Sequence, residues 1–244
     1  MNLLVTAELK KMKRLKMVSV GYISILLSAL ITCIQAFTMR DGAIAFLTFT
    51  DMYLYNNALL FFPFVLALLG GYMIDREYAL ETQKNLLVIP VKWSDMVKAK
   101  IFVLMLFAVY FSLLAAAVSG VCGLLLKCLD FTYYLLLKEG LSFLILGIGI
   151  YVGILPMILW FSRKKGKYVW GSILSALLGI SGVFVINGKL AHWHPITYCL
   201  SIISDRLTAS ANGEIFLSVA AFGVYSFIAF LMYWLVYQEK YHSI

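Results

Sequence analysis

Two histidines, His192 and His194, have a spacing that could contribute to a metal site. They flank Trp193 and precede Pro195. Neutral imidazole nitrogens are common metal ligands, but a structural zinc site needs four ligands, and no further ligand is evident around this pair. The sequence therefore favours interfacial structure over a metal site, and no metal-binding residue is predicted.

The four cysteines show no spacing typical of a zinc or redox motif, because no Cys-x-x-Cys pair occurs. Cys33 and Cys122 fall within apolar runs, as small core residues commonly do. Cys128 and Cys199 fall in predicted outer loops. A disulfide between these two is one alternative, but sequence cannot give their separation in space.

The chain has no phosphate-binding loop of its own. Gly188-Lys189 is followed by Leu190, where Ser or Thr is needed, and Val183 occupies the place of the upstream glycine. The apolar runs carry no ionisable side chain at mid-depth, which counts against ion-coupled carriers, metal transporters and intramembrane enzymes. No catalytic or cofactor-binding residue is predicted, and energy for any transport would come from another protein.

The composition predicts an all-α, polytopic membrane protein. Of 244 residues, 63% are hydrophobic and 13% are charged, whereas about 25% of the residues of a soluble domain are charged. The length leaves room for about six spans of ~20 residues within a single transmembrane domain, residues 1–244. The predicted spans are residues 17–37, 56–74, 101–125, 141–161, 168–186 and 215–237.

The distribution of basic residues predicts that both chain termini are cytoplasmic. With an inner N-terminus, 15 of the 20 Lys and Arg residues fall in inner segments. The outer ones are Arg40, Lys127, Lys138, Lys189 and Arg206. This asymmetry follows the rule that cytoplasmic loops are enriched in Lys and Arg, and it explains the net charge of +8 without nucleic acid.

Two further segments and two stripes of small residues accompany the spans. Residues 1–16 form a basic amphipathic segment, which is either a simple inner anchor or part of a docking surface. Residues 187–213 form a semi-apolar outer segment, which either dips into the membrane or lies on it. The stripes indicate close helix packing, within the chain or with another subunit. They consist of Gly149 and Gly153, and of Gly171, Ser175 and Gly179.

The longest polar interruption near the middle of the chain is residues 76–100. Ala79, Thr82, Leu86 and Ile89 recur there at helical spacing, which predicts a short amphipathic helix lying against a surface. Pro90 ends this helix, and Ser94 with Asp95 would cap a new helix that enters the membrane. The helix–Pro–helix elbow is exposed to docking from the cytoplasm.

The elbow resembles the corresponding segment of ABC-2 type permeases. Its acidic residue, threonine, leucine pair, proline-basic step and final lysine match that family's pattern between spans two and three. They are Glu77, Thr82, Leu86-Leu87, Pro90-x-Lys92 and Lys100. Glu81 stands where the family commonly has glycine. The short loops look most like permeases of lantibiotic-immunity and bacitracin-resistance exporters.

The resemblance implies a half-transporter that pairs with a second permease, identical or homologous, and binds two copies of an ABC ATP-binding subunit. That partner would hold ATP and Mg. Residues 76–90 would form the coupling helix. Glu77, Glu81 and Thr82 would make polar contacts with the ATPase, while Leu86 and Leu87 would hold the helix, ended by Pro90, to the spans. Candidates for an extracellular gate are Trp193, His194, Pro195 and Tyr198.

The resulting hypothesis is a bacterial plasma-membrane exporter subunit, not itself an enzyme. It would expel an amphipathic or peptide antibiotic and confer self-immunity or resistance. The alternative is a non-transporting membrane scaffold or assembly factor, in which residues 76–100 are only a solvated, positively charged inner loop. A neighbouring gene for a Walker-motif ATPase would favour the exporter.

Overall fold

A computed structural model of the chain describes residues 2–13, 15–38, 44–79, 93–162, 166–203 and 215–238. The helices of this part of the chain are α1 (Asn2–Lys13), α2 (Met17–Thr38), α3 (Phe46–Asn56), a π-helical turn (Asn57–Phe61), α4 (Phe62–Ala79), α5 (Trp93–Leu125), α6 (Tyr133–Phe161), α7 (Tyr168–Val185), a 3₁₀ turn (Lys189–His192), α8 (Thr197–Ile203) and α9 (Ile215–Gln238).

Among the described residues, six helical spans are long and apolar enough to cross a membrane, which confirms the predicted number. They are α2, the continuous α3–π–α4 helix, α5, α6, α7 and α9. Large apolar side chains such as Leu26, Phe184 and Phe216 lie on the outside of this bundle. Lipid solvates such side chains, while helical hydrogen bonding satisfies the backbone groups that lipid cannot.

The second span begins at Phe46, so the prediction of an outer loop before residue 56 is wrong. Asp51, Asn56 and Asn57 interrupt the hydropathy and hide the helix in the sequence. The structure gives the side-chain amide nitrogens of the two asparagines hydrogen-bond partners within the bundle. Asn56 Nδ2 donates to Thr32 Oγ1 and to Gln35 Oε1, each at 2.8 Å, and Asn57 Nδ2 donates to the Tyr53 carbonyl at 2.8 Å.

The fourth span also begins earlier than predicted, at Tyr133 rather than at residue 141. Lys138 and Glu139 made this stretch look like a loop. The span is 29 residues long, a rise of ~43 Å, which exceeds the ~30 Å hydrocarbon core. Its first turns can therefore carry charged residues outside the hydrocarbon, so the middle of the span stays apolar.

The second and fifth spans pack closely where the helix widens into the π turn. Pro63 has no N–H to donate to the carbonyl of Leu59, as a regular α-helix would require, and the π turn ends two residues before it. Gly179 of α7 lies directly against that Leu59 carbonyl, and a Cβ at residue 179 would overlap it. This part of the predicted small-residue stripe therefore serves packing within the chain.

Candidate functional site

Four charged side chains form a closed ring of ion pairs where α1, the end of α4 and the start of α5 meet. Lys100 Nζ lies 2.7 Å from Glu8 Oε2 and 3.1 Å from Glu77 Oε1. Lys11 Nζ lies 2.7 Å from Glu8 Oε1 and 3.0 Å from Glu77 Oε1. Each lysine thus bridges both glutamates, and the ring is electrically neutral.

Most of this ring is buried. Glu8, Glu77 and Lys100 are 6%, 3% and 2% exposed, whereas the Lys11 side chain is 40% exposed. Burial lowers the pKa of Lys11, but its hydrogen bonds to Glu8 and Glu77 outweigh burial and raise that pKa above its ordinary value. Lys11 therefore stays charged at neutral pH beside the two buried carboxylates.

The ring joins three segments that are far apart in the sequence. Glu8 is on α1, Glu77 is near the end of α4, and Lys100 is in the second turn of α5. We refer to the end of the bundle where they meet as the basic end. Because unpaired buried charges are very costly, the ring fixes how α1 lies on the other two helices.

Two further contacts tie neighbouring helices to the same end. The Gly166 amide, just before α7, donates to Asp75 Oδ1 of α4 at 2.6 Å. The Tyr233 hydroxyl of α9 donates to the Ser94 carbonyl of α5 at 3.1 Å. The chain on both sides of residues 80–92 is thus connected to α1, α7 and α9.

The residues predicted to couple to an ATPase divide into two groups. Glu77 lies in the ring, with its carboxylate turned into the chain and bound by two lysines. Glu81, Thr82, Leu86, Leu87 and Pro90 lie outside the described residues, so their contacts stay predictions. Helix α5 begins at Trp93, which places Ser94 and Asp95 within its first turn rather than before it.

Sequence reasoning did not single out Glu8. It is the single acidic residue among the first 16 residues, in a segment otherwise rich in lysine. This position could have indicated its role, because a single carboxylate in a basic segment is a natural ion-pair partner for lysine. Its actual partner on α5, Lys100, is 92 positions away, and only the folded chain identifies it.

The predicted gate residues lie on a short, mostly buried segment between α7 and α9. Tyr198 is fully buried, and its hydroxyl donates to the Gly149 carbonyl of α6 at 2.7 Å. A Cβ at Gly149 would lie 2.5 Å from Cys199 Cβ, and one at Gly153 would overlap the Pro195 carbonyl. The Gly149–Gly153 stripe thus allows this segment to pack closely against α6.

Trp193 and His194 lie at the edge of the same segment. Trp193 is 45% exposed, and its carbonyl accepts a 2.6 Å hydrogen bond from the Tyr225 hydroxyl of α9. The structure therefore brings Pro195 and Tyr198 into the bundle and leaves the Trp193 ring near its surface. A gating role for these residues stays a prediction.

The two histidines face different helices. Nδ1 of His192 lies 2.8 Å from Ser218 Oγ of α9, and Nε2 of His194 lies 3.1 Å from Ser181 Oγ of α7. Both imidazoles are thus used in packing this segment between α7 and α9. The two side chains therefore point toward different helices, and their location at the membrane interface stays a prediction.

The cysteines are all free. Cys199 packs on Gly149 in the main core, whereas Cys128 belongs to a separate apolar cluster with Phe46 and Phe49. The disulfide considered from the sequence is therefore not present in this structure.

Replacing Tyr198 with Phe tests how firmly the buried segment is held. We expect Tyr198→Phe to lower the free energy of unfolding by about 1 kcal/mol, because it removes one buried hydrogen bond. Tyr133→Phe is the matched control, since Tyr133 is 83% exposed, and should change stability by less than about 0.5 kcal/mol. Thermal unfolding of the two detergent-purified variants would compare them, and equal melting temperatures would contradict the assignment.

The six apolar spans define a polytopic membrane protein, and the ion pairs found among the described residues lie at one end of the bundle. The chain belongs to the ABC-2 family: the profile described as ABC-2 family transporter protein matches residues 4–182. Bacitracin transport permease protein BCRB of Bacillus licheniformis is 26% identical over 187 residues, which are 76% of this chain and 89% of that protein. No solved structure matches the chain.

These comparisons confirm the family that the elbow sequence predicted. The protein is a multi-pass protein of the bacterial plasma membrane. Members of its family are membrane transport subunits, generally without catalytic activity of their own, and they normally work with an ATP-binding subunit.

Proposed function

We propose that this chain is the membrane-spanning permease subunit of an ATP-driven exporter that removes an amphipathic peptide antibiotic and so confers resistance or self-immunity. The observation that carries the proposal is the similarity to a bacitracin transport permease along most of both chains. The apolar middle of the spans supports an amphipathic cargo over a small ion, because ion pathways commonly need intramembrane charges.

The proposed energy source is a pair of ABC ATP-binding subunits, which hold ATP and Mg on the cytoplasmic side. The excess of basic residues at the basic end supports placing that end in the cytoplasm. Residues 80–92 would then present Glu81 and Thr82 to the ATPase. A second permease, identical or homologous, would complete the transporter.

The ion-pair ring gives this proposal a mechanical step. Glu77 precedes residues 80–92 and Lys100 follows them, and both are held by α1 through Glu8 and Lys11. A displacement of residues 80–92 by the ATPase would therefore move α4, α5 and α1 as one unit. In this mechanism Glu77 transmits force inside the permease, while Glu81 contacts the partner.

The contact with the ATPase can be tested by reversing the charge of Glu81. We expect Glu81→Lys to reduce co-purification of the ATP-binding subunit at least tenfold. A basic residue of the ATPase that pairs with Glu81 would instead meet a lysine, so an attraction would become a repulsion. The permease itself should remain in the membrane. Quantitative mass spectrometry of the affinity-purified complex gives the ratio of the two subunits.

Lys138→Glu is the matched control, because Lys138 is exposed near the start of α6, away from the basic end. It should leave the subunit ratio unchanged. Unaltered co-purification and full resistance in Glu81→Lys would exclude Glu81 from the coupling contact.

The exporter itself is tested by expressing this chain in a sensitive bacterium with and without a candidate ABC ATP-binding subunit from the same organism. Resistance to bacitracin or a lantibiotic that needs both proteins and an intact Walker lysine in the ATPase is the expected result. A phenotype that this chain gives alone, or with the ATPase inactivated, would favour the membrane scaffold instead.

A further inference from the structure

A groove of about 430 Å³ opens on the outer surface of the bundle, between α1, the start of α2 and α5. Its size falls within the roughly 300–1,000 Å³ range of small-molecule sites. Its lining is apolar except for one serine and two tyrosines: Leu9, Met12, Leu15, Val18, Ser19, Tyr22, Leu106, Phe107 and Tyr110. We propose that this groove binds one acyl chain of an anionic phospholipid whose head group is held by Lys10 and Lys16.

The depth of the groove suits a chain from one leaflet. Leu9 lies beside the ring residue Glu8 at the basic end, and Tyr110 follows Lys100 by ten positions along α5, a rise of ~15 Å. Half of a ~30 Å hydrocarbon core has the same depth. The hydroxyls of Tyr22 and Tyr110 lie 3.1 Å apart, so they satisfy each other beside the methyl end of the chain.

Charge determines which lipid fits. Lys10 directly follows the groove residue Leu9, and Lys16 directly follows Leu15. Both lysines are exposed, and neither makes an ion pair with any residue that the structure describes. The sequence places this end at the inner leaflet, where anionic lipids are concentrated, and basic residues near that surface attract them.

Native mass spectrometry of the detergent-purified protein, titrated with phosphatidylglycerol or phosphatidylcholine, tests the site. We expect tighter retention of phosphatidylglycerol by the wild type. Lys10→Gln and Lys16→Gln should each weaken that preference roughly fivefold, because one lysine near an anionic membrane surface changes the affinity by about that ratio. Lys127→Gln, at an exposed lysine beyond the end of α5, is the control for a general loss of charge.

Leu106→Trp tests the contribution of the groove independently of the two lysines. The larger side chain fills the groove, so retention of phosphatidylglycerol should fall at least tenfold, whereas Val121→Trp, on the exposed surface of the same helix, should have no effect. Equal retention of the two lipids by the wild type would overturn the proposal. So would a Leu106→Trp variant that changes the number of permease copies instead of bound lipid, because the groove would then be a subunit interface.

Discussion

Lys100→Met is expected to lower the free energy of unfolding by about 3–5 kcal/mol, because it leaves two buried carboxylates with one partly exposed counter-ion. Glu8 and Glu77 both contact the Lys100 ammonium and are almost fully buried. Thermal unfolding of the detergent-purified protein, followed by helical circular dichroism, gives the change. Resistance should fall with it, since α1 would no longer be fixed to α4 and α5.

Lys98→Met is the matched control, two positions earlier on the same helix. Lys98 Nζ lies 3.3 Å from Asp95 Oδ1, and both side chains are nearly half exposed. An exposed pair of this kind contributes about 0–1 kcal/mol, so the control should melt close to the wild type. If Lys98→Met and Lys100→Met unfold at the same temperature, the ring does not hold the basic end together.

A second variant distinguishes lost charge balance from lost packing. Glu8→Gln combined with Lys100→Met removes one negative and one positive charge and leaves Lys11 paired with Glu77. This double variant should be more stable than Lys100→Met alone, because fewer buried charges remain unpaired. A double variant as unstable as the sum of its two single variants would show that the ring residues act independently.

Gly153→Ala is expected to cost about 3 kcal/mol, at the upper end of the range for overpacking. The added methyl group would overlap the Pro195 carbonyl, which is backbone and cannot rotate away. Either α6 or the buried segment with Tyr198 has to shift. Unfolding temperature and antibiotic resistance should both decrease, and limited proteolysis should begin in the segment between α7 and α9.

Gly140→Ala provides the control on the same helix. A Cβ at Gly140 meets nothing within 4 Å, so the change should be neutral or should stabilise α6 by up to about 1 kcal/mol through helix propensity. If Gly153→Ala also gains stability, the segment that contains Pro195 and Tyr198 is not packed tightly against α6, and the close contact at Gly153 does not hold it in place.

Hydropathy was enough to predict the number of spans, because every span needs about 20 consecutive apolar residues regardless of how the helices are arranged. Helix boundaries were harder. Asp51, Asn56 and Asn57 looked like loop residues, but the asparagines are hydrogen-bonded within the bundle. Hydropathy alone therefore ends a predicted span at a polar residue even where the folded chain provides it with hydrogen bonds.

The elbow sequence also predicted the family, and it marked Glu77 and Lys100 as residues of interest. It could not show that these two residues bind each other and α1, because the role of a charge depends on where its counter-ions lie. From the sequence alone, Glu77 and Lys100 could equally form ion pairs within the chain or contacts to another protein.

The sequence by itself thus determined the membrane class, the number of spans and the elbow motif. Each is a local property, set by the solvation of about 20 consecutive residues or by a short motif. Only the tertiary structure decided what the glycine stripes contact and how the charges pair. Glu8 and Lys100 are 92 positions apart, and Gly153 meets a carbonyl 42 positions later. Such contacts depend on how the helices cross, and that arrangement exists only when the whole bundle is packed.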